Sequence, residues 1–216
     1  MGKNHSFAVF GLGRYGRAVA KELAANGEEV LAIDISEDMV NSVASELPFC
    51  KCADITDAEV IKSLDIGNID TVVIAMASNL EASVMATILC KEAGVKNVIT
   101  KCASEMGCRI MSKVGADKVV FPENESGIRL ARNLLKQGLV DIADLSENVS
   151  MIQMQVRPEW AGKTLRELDL RKRHLVNVVA VVDAGKIDYE VDPDKVLSKD
   201  MQLIMLAESS KLDALI

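Results

Sequence analysis

The chain has 216 residues, 49% of them hydrophobic but only 3% aromatic, and a formal net charge of −7. That is enough chain for one large or two small domains and to bury roughly 70% of its unfolded surface, so no disulfide or metal is needed to hold it. The acidic balance, without any long lysine and arginine block, excludes nucleic acid as an expected partner. No charged segment followed by a long apolar run opens the chain, so no signal peptide is expected. The longest uncharged apolar stretches, 71–80 and 82–90, fall short of the ~18 residues of a membrane span, which another chain would have to supply.

In chain order, residues 7–10 read as a buried strand running into Gly11, Gly13 and Gly16 at GxGxxG spacing. Each glycine answers a backbone need: Gly11 a tight turn, Gly13 close approach of a phosphate, Gly16 close packing of helix on strand. Tyr15, Ala18, Val19 and Leu23 recur at helical spacing, Gly27 suits a C-terminal cap, and residues 30–33 form a second strand ending at Asp34. Asp34 stands near the ~20 residues downstream at which an acid accepts hydrogen bonds from a ribose diol. Ser36 is placed to cap a helix whose buried stripe is Met39, Val40, Val43 and Leu47. Residues 49–53 read as a third strand closing at Asp54, and Thr56 with Glu59 has the spacing of a capping box before a short helix ending near Gly67. A fourth strand at 71–76, a turn at Ala77, Ser78 and Asn79, and a helix over 80–93 stopped by Gly94 follow. A fifth strand at 98–101, a helix over 109–114 and a sixth strand at 118–121 complete the series.

Six strands separated by helices predict an α/β fold, a Rossmann-like doubly wound parallel sheet of order 3-2-1-4-5-6. Pro122 and Glu123 then open a crossover helix over about 123–138, ended by Gly138, whose apolar face of Ile128, Ala131, Leu134 and Leu135 suits either core or another copy of the chain. Asp141, Asp144, Ser146, Glu147 and Asn148 make a polar junction, dividing residues 1–140 from a small α+β domain at 141–216. In that domain Ile152, Met154 and Val156 alternate as a half-buried strand, Leu165, Leu168 and Leu170 mark a short helix or turn, and strands at 177–182 and 202–206 flank a turn at Gly185. Cys50, Cys52, Cys90, Cys102 and Cys108 are odd in number and lack CxxC pairs, so they read as reduced core residues of a cytosolic protein, with His5 and His174 too isolated to complete a metal site.

Ligands of such sheets lie outside the carboxyl ends of the strands, which nominates the glycine loop, Asp34, Asp54, Met76, Ala77, Ser78 and Lys101. Arg14, between the second and third glycines, can fork onto phosphate oxygens, so a nucleotide with a polyphosphate tail fits as well as a dinucleotide. Asp34 repels a 2′-phosphate and disfavours NADP without separating NAD from ATP or ADP. No GxxxxGK[ST] loop is present, and no constellation of acid, base or nucleophile argues for catalysis, so the chain is expected not to be an enzyme. The alternative is an NAD(H)-dependent oxidoreductase or redox sensor, and a third reading is a purely structural assembly module.

Residues 7–16 (FAVFGLGRYG), 30–36 (VLAIDIS), 75–79 (AMASN), 115–123 (GADKVVFPE) and 165–170 (LRELDL) resemble the RCK family, regulators of potassium conductance, and more narrowly its Trk/Ktr-type cytosolic regulatory subunits. The resemblance implies a nucleotide-sensing gating subunit of a potassium transporter or channel: homodimers assembled into an octameric ring, cytoplasmic and peripheral to the inner membrane face through an integral-membrane partner. By that likeness ATP and ADP, or alternatively NAD and NADH, bind beside Gly11, Gly13 and Gly16. Arg14 would meet the terminal phosphate, Asp34 with Ile35 and Ser36 the ribose side, and Asp54 with Ile55 the adenine end, while Met76, Ala77, Ser78 and Lys101 line the pocket. Glu123 matches a position that holds a divalent or monovalent cation in some members. Asp169, Leu170, Arg171, Asn177 and Pro193 match positions at which some members bind cyclic di-AMP, although Leu175, preceded by His174, stands where many have glycine.

Overall fold

The computed structural model describes residues 5–135, 139–146 and 148–211 and divides into two compact units, meeting in sequence between Glu123 and Asn124. Gly138 and Glu147 lie outside the described residues. In the first unit β1 (Ser6–Phe10), α1 (Arg14–Ala25), β2 (Glu29–Asp34), α2 (Glu37–Asn41), β3 (Cys50–Cys52), α3 (Ala58–Ser63), β4 (Thr71–Ile74), α4 (Leu80–Glu92), β5 (Asn97–Lys101), α5 (Glu105–Val114) and β6 (Lys118–Val120) follow one another. The strands form one sheet of order β3-β2-β1-β4-β5-β6, every neighbouring pair parallel, which is the predicted winding.

The central strands are apolar on both faces because helices cover both. Ala8, Phe10, Val72 and Ile74 point into one core with Ile33, Ile61, Ala86 and Cys90, while Val9, Val73 and Ala32 point into the other with Ala20, Val43 and Leu47. At roughly 25 cal/mol per Å² of apolar area, this two-sided burial is the main force fixing the register that places the strand ends in one row.

Several local expectations need correction. The cap of α3 is Asp57, whose carboxylate accepts from the Glu59 amide at 2.8 Å, whereas Thr56 donates to Asp54. Asp and Thr compete for the same role, and the ionised acceptor one residue closer wins. Helix α2 stops at Asn41, although Val43 and Leu47 stay buried through the turn that follows. The third strand shortens to Cys50–Cys52, leaving Phe49 61% exposed. Helix α5 starts at Glu105, earlier than expected, because the Ser104 hydroxyl caps it by accepting from the Gly107 amide. Of the cysteines, Cys90 and Cys102 are buried but Cys52 is exposed.

Helix α6 (Pro122–Leu135) follows, and of its apolar residues Ile128 and Leu134 are 46% and 77% exposed. The second unit holds β7 (Leu139–Asp144), β8 (Val149–Gln155), α7 (Leu165–Leu168), α8 (Leu170–His174), β9 (Val176–Asp183), β10 (Lys186–Asp188) and β11 (Gln202–Glu208). They make an antiparallel sheet of order β10-β9-β11-β8-β7. Strand β7 departs from the expected junction, which Asp141 and Asp144 suggested; among the described residues it is an edge strand paired with β8. Ile152, Met154, Trp160, Leu168, Leu170, Leu203 and Met205 form the core of this unit, and Thr164 with Glu167 closes a true capping box at α7.

Leu175 takes a left-handed backbone, φ +57°, with its side chain 57% exposed. A Cβ in that region costs about 1–2 kcal/mol, and little burial offsets it here. Leu175→Gly is therefore expected to stabilise the chain by about 1 kcal/mol, read as a rise in the urea midpoint at constant slope; a lower midpoint would mean that Leu175 contributes packing that outweighs the strain. Among the described residues, no helix is long and apolar enough to cross a membrane.

Candidate nucleotide site

Strand β1 ends at Phe10, and Gly11 turns the chain with φ +91° while its amide donates to the Ile33 carbonyl at 2.8 Å. A side chain on Gly11 would meet Met76 Cγ at 2.6 Å, and one on Gly16 would collide with the Gly11 carbonyl oxygen. Gly13 is different: nothing lies within 4 Å of where its Cβ would be. That open space sits at the start of α1, where Gly13 is the N-cap without any side-chain cap and the first turn carries no acid. Unpaired first-turn amides and the positive end of the helix dipole together favour an anion there.

The glycine loop and Asp34 hold each other. One carboxylate oxygen of Asp34 accepts the Leu12 amide at 2.6 Å and the other accepts the Ser36 amide at 2.9 Å. Each oxygen keeps a second lone pair, so a ribose diol can add to a carboxylate whose direction is already set. At the next strand end Asp54 accepts the Thr56 hydroxyl at 2.7 Å and its amide at 2.9 Å, and these bonds, the hydroxyl first, hold its carboxyl below the usual range.

Between these strand ends opens a cavity of about 430 Å³. Of the expected residues, Gly11, Gly13, Asp34, Ile35, Asp54, Ile55, Met76 and Ser78 line it. Gly16 is buried behind the loop, and Ser36 reaches the site through Asp34; Arg14, Ala77, Lys101 and Glu123 are not in the wall. Met39, Thr56, Asn79 and Ala82 also line it and were not expected to do so. Asn79 carried a signal of sorts: its side chain caps α4 by accepting the Ala82 amide at 3.0 Å, which brings both residues to the cavity edge.

Lys101 and Glu123 form a separate group near the start of α1. The Lys101 ammonium donates to Glu123 at 2.6 Å and stands 5.7 Å from the Tyr15 ring centroid, within cation–π reach. Glu123 is held below its ordinary range by the Lys101 hydrogen bond first, with the Arg14 charge adding to it. Within one chain Glu123 thus faces an ammonium, and no group of three or more potential metal ligands occurs among the described residues.

In the second unit Arg171, Asn177 and Pro193 are exposed, Asp169 joins α7 to α8 with φ +43°, and Leu170 is buried in the core. Only the backbone of Leu170 is available to a ligand. The Pro193 carbonyl accepts the Arg166 amide at 3.0 Å, and Arg166 forks onto Asp194 at 2.6 and 2.9 Å.

The TrkA-N domain family matches residues 7–122 and the TrkA-C domain family residues 151–216. The chain is 38% identical to the Ktr system potassium uptake protein C of Bacillus subtilis over 175 residues, 81% of this chain and 79% of that one. It is 36% identical to the Ktr system potassium uptake protein A of Vibrio alginolyticus over 95% of its own length and 94% of the other. Among solved structures, 99% of the chain superposes on the GsuK RCK domain with a TM-score of 0.70 at 19% identity, and on the GsuK channel bound to NAD with a TM-score of 0.71 at 17%. It spans 47% and 39% of those longer chains, which share its fold. With both domain families matched in order and relatives this similar over most of their length, the chain belongs to the RCK, or TrkA, family of potassium-uptake proteins.

Proposed function

We propose that this protein is a nucleotide-sensing regulatory subunit of a Trk/Ktr-type potassium transporter, with residues 1–140 as the sensing half, 141–216 as the regulatory half, and no catalytic activity of its own. The observation that carries the reading is the cavity at the strand ends, where an open Gly13, uncapped α1 amides and a pre-oriented Asp34 converge. These supply an anion cradle and a ribose acceptor within one cleft. ATP and ADP are the proposed ligands. NAD or NADH is the second reading, favoured by the fold shared with a channel solved with NAD bound.

A ligand shifts the balance of two assembly shapes only by as much as it binds them differently. ATP and ADP differ in the terminal phosphate, so the discriminating contact belongs at the helix start, where Arg14 stands. Arg14→Ala is expected to weaken ATP about tenfold while leaving ADP nearly unchanged, measured by calorimetric titration of each nucleotide. Equal weakening of both would remove Arg14 from that role.

Assembly belongs to the same proposal. The exposed Ile128 and Leu134 on α6 suit packing on a second copy, with dimers building an octameric ring at the cytoplasmic face of the membrane beneath a potassium-translocating subunit. A cation at Glu123 would compete with the Lys101 ammonium, so it is expected where ligand phosphate draws Lys101 away. Cyclic di-AMP would meet Asp169, Arg171, Asn177 and Pro193, with the Leu170 side chain taking no part. Thermal unfolding with ATP, ADP and NADH tests the sensing role: saturable stabilisation by ATP and ADP supports it, and a response to none of the three removes it.

A further inference from the structure

Two cysteines have no part in the nucleotide cleft. Cys102 follows the last residue of β5, is 3% exposed, and is anchored by its amide to the Val120 carbonyl at 2.9 Å. Cys108 lies in the second turn of α5, half-buried, its amide bonded to the Ser104 carbonyl. The first turns of α5 fold back onto Cys102: a Cβ on Gly107 would stand 3.8 Å from Cys102 Cβ, and Cys108 is the next residue of that turn, near enough for its thiol to act on the Cys102 thiol. Gly107 is buried, which keeps the helix turn close to the strand end.

The geometry points to a redox-active dithiol at the junction of β5 and α5, in which Cys102 and Cys108 close to a disulfide on exchange with a low-molecular-weight disulfide and reopen on exchange with a thiol. A disulfide requires close Cβ atoms and a suitable torsion, and here the Cys102 amide is tied to Val120 of β6 and the Cys108 amide to Ser104 at the start of α5. The order of events follows from exposure and burial. The Cys102 thiol is pushed up to about 12, chiefly by burial and then by Cys108, so it stays protonated and shielded. Cys108 is the accessible partner and is the first to react.

The steps balance. The Cys108 thiolate attacks one sulfur of the small disulfide, forming a mixed disulfide and releasing one small thiol. Cys102 then loses its proton to solvent and attacks the Cys108 sulfur, forming the Cys102–Cys108 bond and expelling the second small thiol. Overall two protein thiols are oxidised and one small disulfide is reduced to two thiols. The new bond would fix covalently the spacing between α5 and the strand end that carries Lys101.

Trypsin cuts after Lys101 and Arg109, so both cysteines fall in one peptide, 102–109. The folded full-length protein is incubated with oxidised glutathione, denatured, alkylated and digested. The expected result is a 102–109 peptide two hydrogens lighter than the reduced form and carrying no alkyl group, with both alkyl groups restored after dithiothreitol. In Cys108→Ser, Cys102 is expected to remain fully alkylatable after the same treatment. Two alkyl groups on the oxidised wild-type peptide, a stable glutathione adduct on Cys108 beside an alkylated Cys102, or linkage of either cysteine to a different peptide would each overturn the assignment.

Discussion

Gly16→Ala is expected to lower stability by about 3 kcal/mol, because the added methyl would collide with the Gly11 carbonyl oxygen and come within 3.0 Å of Ala75 Cβ. Neither neighbour is a flexible side-chain end that could swing aside. The Gly11 carbonyl belongs to the loop, and the Ala75 amide is bonded to the Phe10 carbonyl at 2.7 Å, so relief means moving α1 off the sheet. A chain of this length should lose about 6–12 °C in Tm for such a change. Gly13→Ala is the matched control. Its backbone lies at φ −63° with open space where the methyl would go, so stability should shift by no more than about 0.5 kcal/mol. The same methyl would occupy the space left for a phosphate, so nucleotide binding should fall although the fold is intact. A Gly16→Ala protein as stable as wild type would show that α1 does not depend on this contact.

The second large effect is on affinity. Asp34→Ala is expected to weaken ATP, ADP and NADH alike by about a hundredfold, the worth of two charge-assisted hydrogen bonds of about 1.5 kcal/mol each. All three ligands carry an adenosine ribose diol, so the loss should not discriminate among them, in contrast to Arg14→Ala. The substitution also strands the Leu12 amide, which donates to Asp34 at 2.6 Å, and the loop should lose stability without any ligand. A parallel melting curve of the free protein separates the two losses. Affinity unchanged in Asp34→Ala would place the ribose elsewhere.

The sheet order was legible in the sequence because a parallel strand covered on both faces must be apolar throughout, and residues 7–10, 30–33 and 72–74 carry that signature without interruption. The glycine loop was equally plain, since only glycine meets a φ of +91° and the contact at Gly16 together. Helix starts were harder. Thr56 and Asp57 are both good caps, and the sequence does not reveal that the Thr56 hydroxyl is drawn to Asp54. Strand β7 is not legible in the sequence because an edge strand need bury only one face, on which Ile142 is buried, and its aspartates read as loop.

The same distinction runs through the cavity. Asp34, Asp54 and Met76 follow directly from the rule that ligands gather at strand ends, as part of local sequence order. Met39, Asn79 and Ala82 come from the starts of helices, and their arrival at the cleft depends on how α2 and α4 pack against the sheet. The pairing of Lys101 with Glu123 joins residues 22 apart, a separation that no local sequence pattern reveals as a contact.

Calorimetric titration of the full-length protein with ATP and with ADP tests the central claim most directly. A nucleotide sensor built on this cleft is expected to take up one nucleotide per chain, with ADP displaced by ATP and uptake lost in Gly13→Ala at unchanged Tm. Absence of saturable heat with ATP, ADP and NADH, or binding that Gly13→Ala leaves untouched, would contradict it.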